Sequence, residues 1–183
     1  MDFALFDTPI GTCGIAWGAR GLVGVQLPEP TDAQMRTRLR RQFPGATEST
    51  PPEKVQSAID AIVTLLEGRS SDLSAIELDM LGVPEFHRRV YAVARTIPPG
   101  STLSYGEIAA RLGEPAWPAA RDVGQALGQN PFPIVVPCHR VVAANGKLGG
   151  FSARGGLKTK LRLLAIENAP AATVNMPLFA ELP

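Results

Sequence analysis

Cys138 and His139 stand side by side in the stretch PIVVPCHRVV, between two apolar, β-branched runs. A thiol is nucleophilic as its thiolate, and a free cysteine ionises only near about pH 8.5, so a reacting cysteine needs a proton acceptor close by. His139 is the acceptor expected for it. Neighbouring residues point apart in a strand or a helix, so the proton is expected to pass through a bridging water. A histidine that works as a base also needs an acceptor on its other ring nitrogen. Glu167, in the otherwise apolar stretch LLAIENA, is the carboxylate expected there. Two adjacent residues cannot close a metal site, and a papain-like hydrolase draws its Cys and His from separate chain segments. The other cysteine, Cys13, has no base near it in the sequence.

A chain of 183 residues, 45% hydrophobic, can bury one good core or two small ones. No apolar run reaches the roughly 20 residues that span a bilayer, and Asp2 and Asp7 replace the basic start of a secretory signal. Two cysteines are too few for a disulfide scaffold, which predicts a reducing, cytoplasmic setting. The net charge of +1 hides an asymmetry: residues 1–83 hold 7 Lys/Arg against 11 Asp/Glu, and residues 84–183 hold 11 against 6. A basic second half points to a polyanionic partner.

The pattern predicts a supporting α/β domain over residues 1–83, with a small antiparallel sheet and helices. FALFD, CGIAW and GLVGVQL read as strands separated by turn residues. TDAQMRTRLRRQF has Thr31 and Gln34 at capping-box spacing, with Met35, Leu39 and Phe43 on one face. PGATESTPPEK reads as a loop, Val55 to Leu66 as an amphipathic helix, and IELDM as a strand. A mostly helical domain over residues 84–170 follows, then a tail at 171–183. Pro84 suits a first helical turn, and Phe86, Val90, Val93, Ala94 and Ile97 give that helix its apolar face. LSYGEIAARLG and AARDVGQALGQNP form two short helices, with the prolines of EPAWP holding a loop between them. That outline is a helix-turn-helix of winged type. In GGLKTKLRLLAIEN, Leu157, Leu161, Leu164 and Ala165 face inward, and Lys158, Lys160 and Arg162 face solvent.

NPFPIVVPCHRVVAANGKLGGFS resembles the active-site segment of the O6-alkylguanine-DNA alkyltransferases, the methylated-DNA–protein-cysteine methyltransferases. Pro137 to Arg140 follow an apolar strand and the pair Asn130-Pro131; SYGEIAARLG and AARDVGQALG resemble the family's DNA-binding helices, and LLAIE its closing helix. The detailed match covers about residues 84–168. The resemblance implies repair of double-stranded DNA, bound through the minor groove, by flipping an alkylated guanine into a pocket. The alkyl group then moves from O6, and also from O4 of thymine, to Cys138 in a single irreversible turnover.

It further implies catalytic roles for Cys138, His139, Glu167, Asn130 at the hinge and Tyr105 on the flipped base. Arg121 is implied as the finger filling the vacated stack, with Tyr105, Ala120, Gln125 and Arg140 also on DNA. Pro133, Val141, Phe151 and Ser152 are implied to form the pocket. No cofactor, no metal, no membrane and a monomer are expected. Three departures bear on DNA affinity and alkyl size: the long loop with Trp117 and Pro118, Asp122 beside Arg121, and the extended ARGG after Ser152. An alkyltransferase-like damage sensor would keep the pocket without the cysteine, and a plain transcription regulator would not need PCHRV.

Overall fold

The computed structural model describes residues 1–175, without the side chains of Ala116, Trp117 and Pro118. Two compact units emerge: Met1–Leu81 with Pro131–Val135, and Gly82–Asn130 with the chain from Val136 onward.

The first unit is built on strands β1 (Asp2–Phe6), β2 (Cys13–Gly18) and β3 (Gly21–Gln26), paired antiparallel in sequence order. A two-residue strand β4 (Thr47–Glu48) pairs parallel with β1, giving the order β3-β2-β1-β4. The sheet is therefore mixed where an antiparallel one was expected, and β4 lies inside the expected loop. Two residues show no periodicity to read. IELDM is likewise no strand: Leu78 makes one isolated bridge to Leu22, and Asp79 N donates to Leu22 O at 2.7 Å.

Helix α1 (Asp32–Gln42) starts where Thr31 accepts a hydrogen bond from the Gln34 backbone. Its Met35 and Leu39 join Phe3, Ala16 and Phe43 in a buried cluster over the sheet. Gly24 permits this packing, because a Cβ there would lie 2.5 Å from Phe43 Cζ. Helix α2 (Glu53–Leu66) buries Val55, Ile59, Ile62 and Leu66, as its spacing predicts.

The second unit begins with α3 (Glu85–Arg95), then the two-residue strand β5 (Leu103–Ser104) and α4 (Tyr105–Arg111). Helix α4 opens with a complete capping box, Ser104 accepting from Glu107 N and Glu107 accepting from Ser104 N. Four residues later α5 (Ala116–Gly128) starts, so the expected proline loop is mostly helix. Pro118 sits in the first turn, where the missing N–H has no intrahelical partner to lose. Tyr91 on α3 donates to Ala126 O on α5 at 2.9 Å, and Ile108, Val123 and Leu127 fill the space between the helices.

After the Cys138–Arg140 3-10 turn, strand β6 (Val141–Val142) pairs parallel with β5. Helices α6 (Gly156–Ile166) and α7 (Pro170–Asn175) complete the described chain. The expected tail thus starts as a helix; its remainder, 176–183, lies outside the described residues. On α6, Leu161 and Leu164 are buried as expected, but Leu157 is 38% exposed, Ala165 is exposed, and Lys160 is fully buried. Among the described residues no helix is long and apolar enough to cross a membrane.

Candidate active site

Cys138, His139 and Arg140 form one turn of 3-10 helix, with Arg140 N bonded to Pro137 O at 2.9 Å. Successive residues there point about a third of a turn apart, so the thiol and the imidazole face different surroundings. Cys138 opens on a cavity of about 460 Å³. Helix α5 supplies Ala120, Gly124, Leu127 and Gly128 to its wall, α4 supplies Tyr105, and the segment Gly150 to Ser152 closes it. Ser152 Oγ donates to Gly128 O at 2.9 Å, fastening that segment to the end of α5. Tyr105 OH donates to Gly150 O at 3.4 Å. Gly149 must be glycine here: its φ is +67°, and a Cβ would lie 3.0 Å from the Tyr105 ring.

His139 points instead into the core and is 1% exposed. Its Nε2 lies 2.9 Å from Glu167 Oε1. An ionised carboxylate only accepts, so Nε2 carries the hydrogen and Nδ1 the lone pair. Nδ1 is buried and has no hydrogen-bond partner among the described residues. Burial pushes the imidazole below its ordinary value, with the Glu167 contact pulling the other way. It is therefore neutral near pH 7, the form in which Nδ1 can accept a proton.

Glu167 is fixed from a second side. Arg140 Nε donates to its Oε2 at 3.0 Å and Arg140 Nη2 to its Oε1 at 2.8 Å, a two-pronged contact. Arg140 Nη1 also reaches Ile97 O. Burial works against ionisation of Glu167, but the hydrogen bonds from His139 and Arg140 and the Arg140 charge outweigh it and hold the carboxyl at about 2.

The Cys138 thiol is pushed up by burial, while an Asn130 hydrogen bond and the Lys160 charge pull it down. Asn130 Nδ2 also donates to Val136 O at 2.8 Å. The net direction is upward, so the resting thiol is protonated and must lose its proton on reaction. Cys13 is buried away from any such partner set and is pushed up to about 12.

Two expected placements need correction. Arg140 was expected against DNA, but it is 5% exposed and engaged with Glu167 and Ile97. The resemblance placed Arg140 on DNA, and here its charge is spent on a buried carboxylate. Lys160 was expected in solvent. Its Nζ instead donates to the carbonyls of Val141 and Leu148 at 2.5 Å and of Gly150 at 3.5 Å. Burial brings this amine down to about 8. A signal did exist: Lys160 lies seven residues before Glu167, two helical turns along the same face.

Of the other expected residues, Tyr105, Ala120, Phe151 and Ser152 line the cavity. Val141 does not line it, although its carbonyl holds Lys160. Pro133 belongs to the first unit and is also absent from the lining. Arg121, Asp122 and Gln125 are exposed on α5, and neither Arg121 nor Asp122 has an ion-pair partner among the described residues. A larger cavity of about 660 Å³ lies in the first unit, walled by Trp17, Leu22, Val55 and Ile76, and contains no cysteine or histidine. No group of three or more His, Cys, Asp or Glu suited to a metal occurs among the described residues.

Residues 85–169 match the family profile described as 6-O-methylguanine DNA methyltransferase, DNA binding domain. The methylated-DNA–protein-cysteine methyltransferase of Mycolicibacterium paratuberculosis is 40% identical over 174 residues, covering 94% of this chain and 96% of that protein. The chain belongs to the methylated-DNA–protein-cysteine methyltransferase family. The member from Methanothermobacter thermautotrophicus is 37% identical over 87% of this chain and 81% of its own. Among solved methyltransferases, the Mycobacterium tuberculosis OGT in complex with DNA superposes with a TM-score of 0.75 at 35% identity, covering 96% of this chain and 99% of that one. The family's DNA-binding domain therefore spans α3 through α6, the part of the chain that carries Cys138 and its cavity.

Proposed function

We propose that this protein repairs alkylated DNA by moving the alkyl group from O6 of guanine to Sγ of Cys138, once per molecule. The observation that carries the reading is the geometry at the 3-10 turn: one residue presents a thiol to a base-sized cavity, and the next presents a neutral imidazole locked by Glu167. The relatives' names supply the substrate class.

The lesion base leaves the stack, because its O6 substituent is out of reach inside a duplex; unstacking costs a few kcal/mol. DNA is approached through its minor groove, and Arg121, exposed on α5, enters the vacated space. The flipped base sits beside Tyr105 and the segment Gly150 to Ser152. Cys138 passes its proton through a bridging water to His139 Nδ1, and Glu167 steadies the imidazolium that forms. The sulfur pair then attacks the alkyl carbon. The carbon–O6 bond breaks, and its electrons move onto the guanine ring, where hydrogen-bond donors in the cavity wall stabilise them. Tyr105, which lines the cavity, carries one such donor. The guanine anion then takes up a proton from water and His139 returns its own to solvent, so the products are a thioether on Cys138 and an unmodified guanine.

Water does not displace a thioether, so each molecule acts once. O4-alkylthymine presents the same alkyl–oxygen bond and is a second substrate. The test is a titration with duplex carrying O6-methylguanine: repaired guanine should plateau at one per protein, and continued repair beyond equivalence would contradict the single turnover.

A further inference from the structure

Lys160 is a lysine with no access to solvent, on a helix whose neighbouring basic residues Lys158 and Arg162 are exposed. A buried ammonium is costly unless its hydrogens are used. Lys160 has three, and three carbonyls receive them: Val141 after the 3-10 turn, Leu148, and Gly150 in the cavity wall. These carbonyls belong to chain stretches with little regular structure of their own. Strand β6 is two residues long, and the segment after it turns through Asn145, Gly146 and Gly149, all at positive φ. Gly150 O also accepts from Tyr105 OH, and the Lys160 nitrogen lies 5.9 Å from the centre of that ring.

We propose that Lys160 is a positioning residue of the transfer reaction, its ammonium clamping the Val141, Leu148 and Gly150 carbonyls so that the wall facing the guanine keeps one shape beside Cys138 and Tyr105. The proposal rests on the alkyl transfer argued above and deepens it. Three donors fit three acceptors only while the amine is protonated; the neutral form has two hydrogens and no charge to strengthen them. Burial brings Lys160 down to about 8, so the clamp weakens within an accessible pH range. The titratable groups facing it are Cys138 and His139 on the 3-10 turn and Tyr105 on α4. Tyr105 and Cys138 are both displaced upward by burial, so neither supplies a loss of function setting in near pH 8.

The experiment compares two reactions of Cys138 across pH 6 to 10: transfer from a free O6-benzylguanine base, which needs the wall, and alkylation by iodoacetamide, which does not. In the wild type the iodoacetamide rate should climb throughout as the thiol ionises. The benzylguanine rate itself should fall above about pH 8, while the iodoacetamide rate shows that the thiol is intact. Lys160→Met should lower benzylguanine transfer roughly tenfold or more at pH 7 and abolish the alkaline fall. A wild-type benzylguanine rate that holds level or climbs to pH 10, or a Lys160→Met protein with the wild-type rate and profile, would overturn the proposal. Should Lys160→Met fail to fold, the wild-type benzylguanine profile decides alone. Failure of the function itself has a different signature, a wild type that accepts no alkyl group at any pH, and it removes this proposal too.

Discussion

His139 and Glu167 meet at 2.9 Å with side chains only 1% and 3% exposed. Arg140, one residue beyond His139, grips the same carboxylate from its other edge. The 3-10 turn thus carries the Cys138 thiol outward and plants both following side chains on one anion just past the end of α6. Position and tautomer of the imidazole are set by the same contact, while burial keeps it neutral.

Glu167→Gln keeps the shape and removes the charge. It leaves the Arg140 guanidinium buried without its anion, and breaking such a pair costs on the order of 3 kcal/mol. It also takes away what orients His139 and stabilises its protonated form. Urea denaturation should show that loss, and Cys138 transfer from free base should slow about tenfold or more. Wild-type values in both would remove Glu167 from the site.

Stability should fall with acid in two stages. His139 is lowered in the fold, from an ordinary value of 6.5, chiefly by burial. Below about 6.5 the unfolded chain takes up a proton that the fold resists, so stability declines from there. Glu167 is held at about 2 against an ordinary 4.5, so its contribution is complete above 4.5 and lost between 4.5 and 2. The second stage amounts to about 3 kcal/mol. Urea midpoints measured from pH 7 to 3 check this, and His139→Gln should flatten the upper stage alone. A flat curve for the wild type across pH 7 to 4 would contradict the neutral buried imidazole.

The two thiols should behave differently. Cys138 faces the cavity, whereas Cys13 is fully buried and pushed up to about 12. A disulfide reagent at pH 8 should therefore titrate one thiol in the native protein and two in denaturant. Cys138→Ser should leave none reactive under native conditions.

Arg121→Ala separates flipping from chemistry. An inserted side chain offsets part of the few-kcal/mol unstacking cost in duplex DNA, and a free base has no stack to leave. A loss of about 2 kcal/mol corresponds to roughly thirtyfold on duplex, with little change on free O6-benzylguanine. Single-turnover rates on both substrates check it. Equal losses on the two would mean that Arg121 shapes the cavity.

Sequence alone located the thiol, its neighbouring histidine and Glu167, because Cys138 and His139 are contiguous and Glu167 stands out as a charge in an apolar run. It misplaced Arg140 and Lys160 for one shared reason. Basic side chains are expected in solvent or on DNA, and their buried acceptors here come from other parts of the chain. Only the seven-residue spacing of Lys160 and Glu167 hinted at it. Leu78 sits in a clean alternation yet makes only one bridge, because pairing depends on a partner edge and not on the pattern itself. Pro118 reads as a breaker, but its position in the first turn of α5 makes it harmless. Strands β4, β5 and β6 are each two residues long, below the reach of any periodicity.

The central claim is that Cys138 itself receives the alkyl group. Incubating the protein with an excess of duplex containing O6-methylguanine, then measuring intact mass and mapping peptides, tests it directly. The account predicts one added methyl group per molecule, located on the peptide with PCHR, and none on Cys138→Ser protein that still binds the duplex. Repair of the guanine with no mass gain, or a methyl group carried by Cys13 or any other residue, would contradict it.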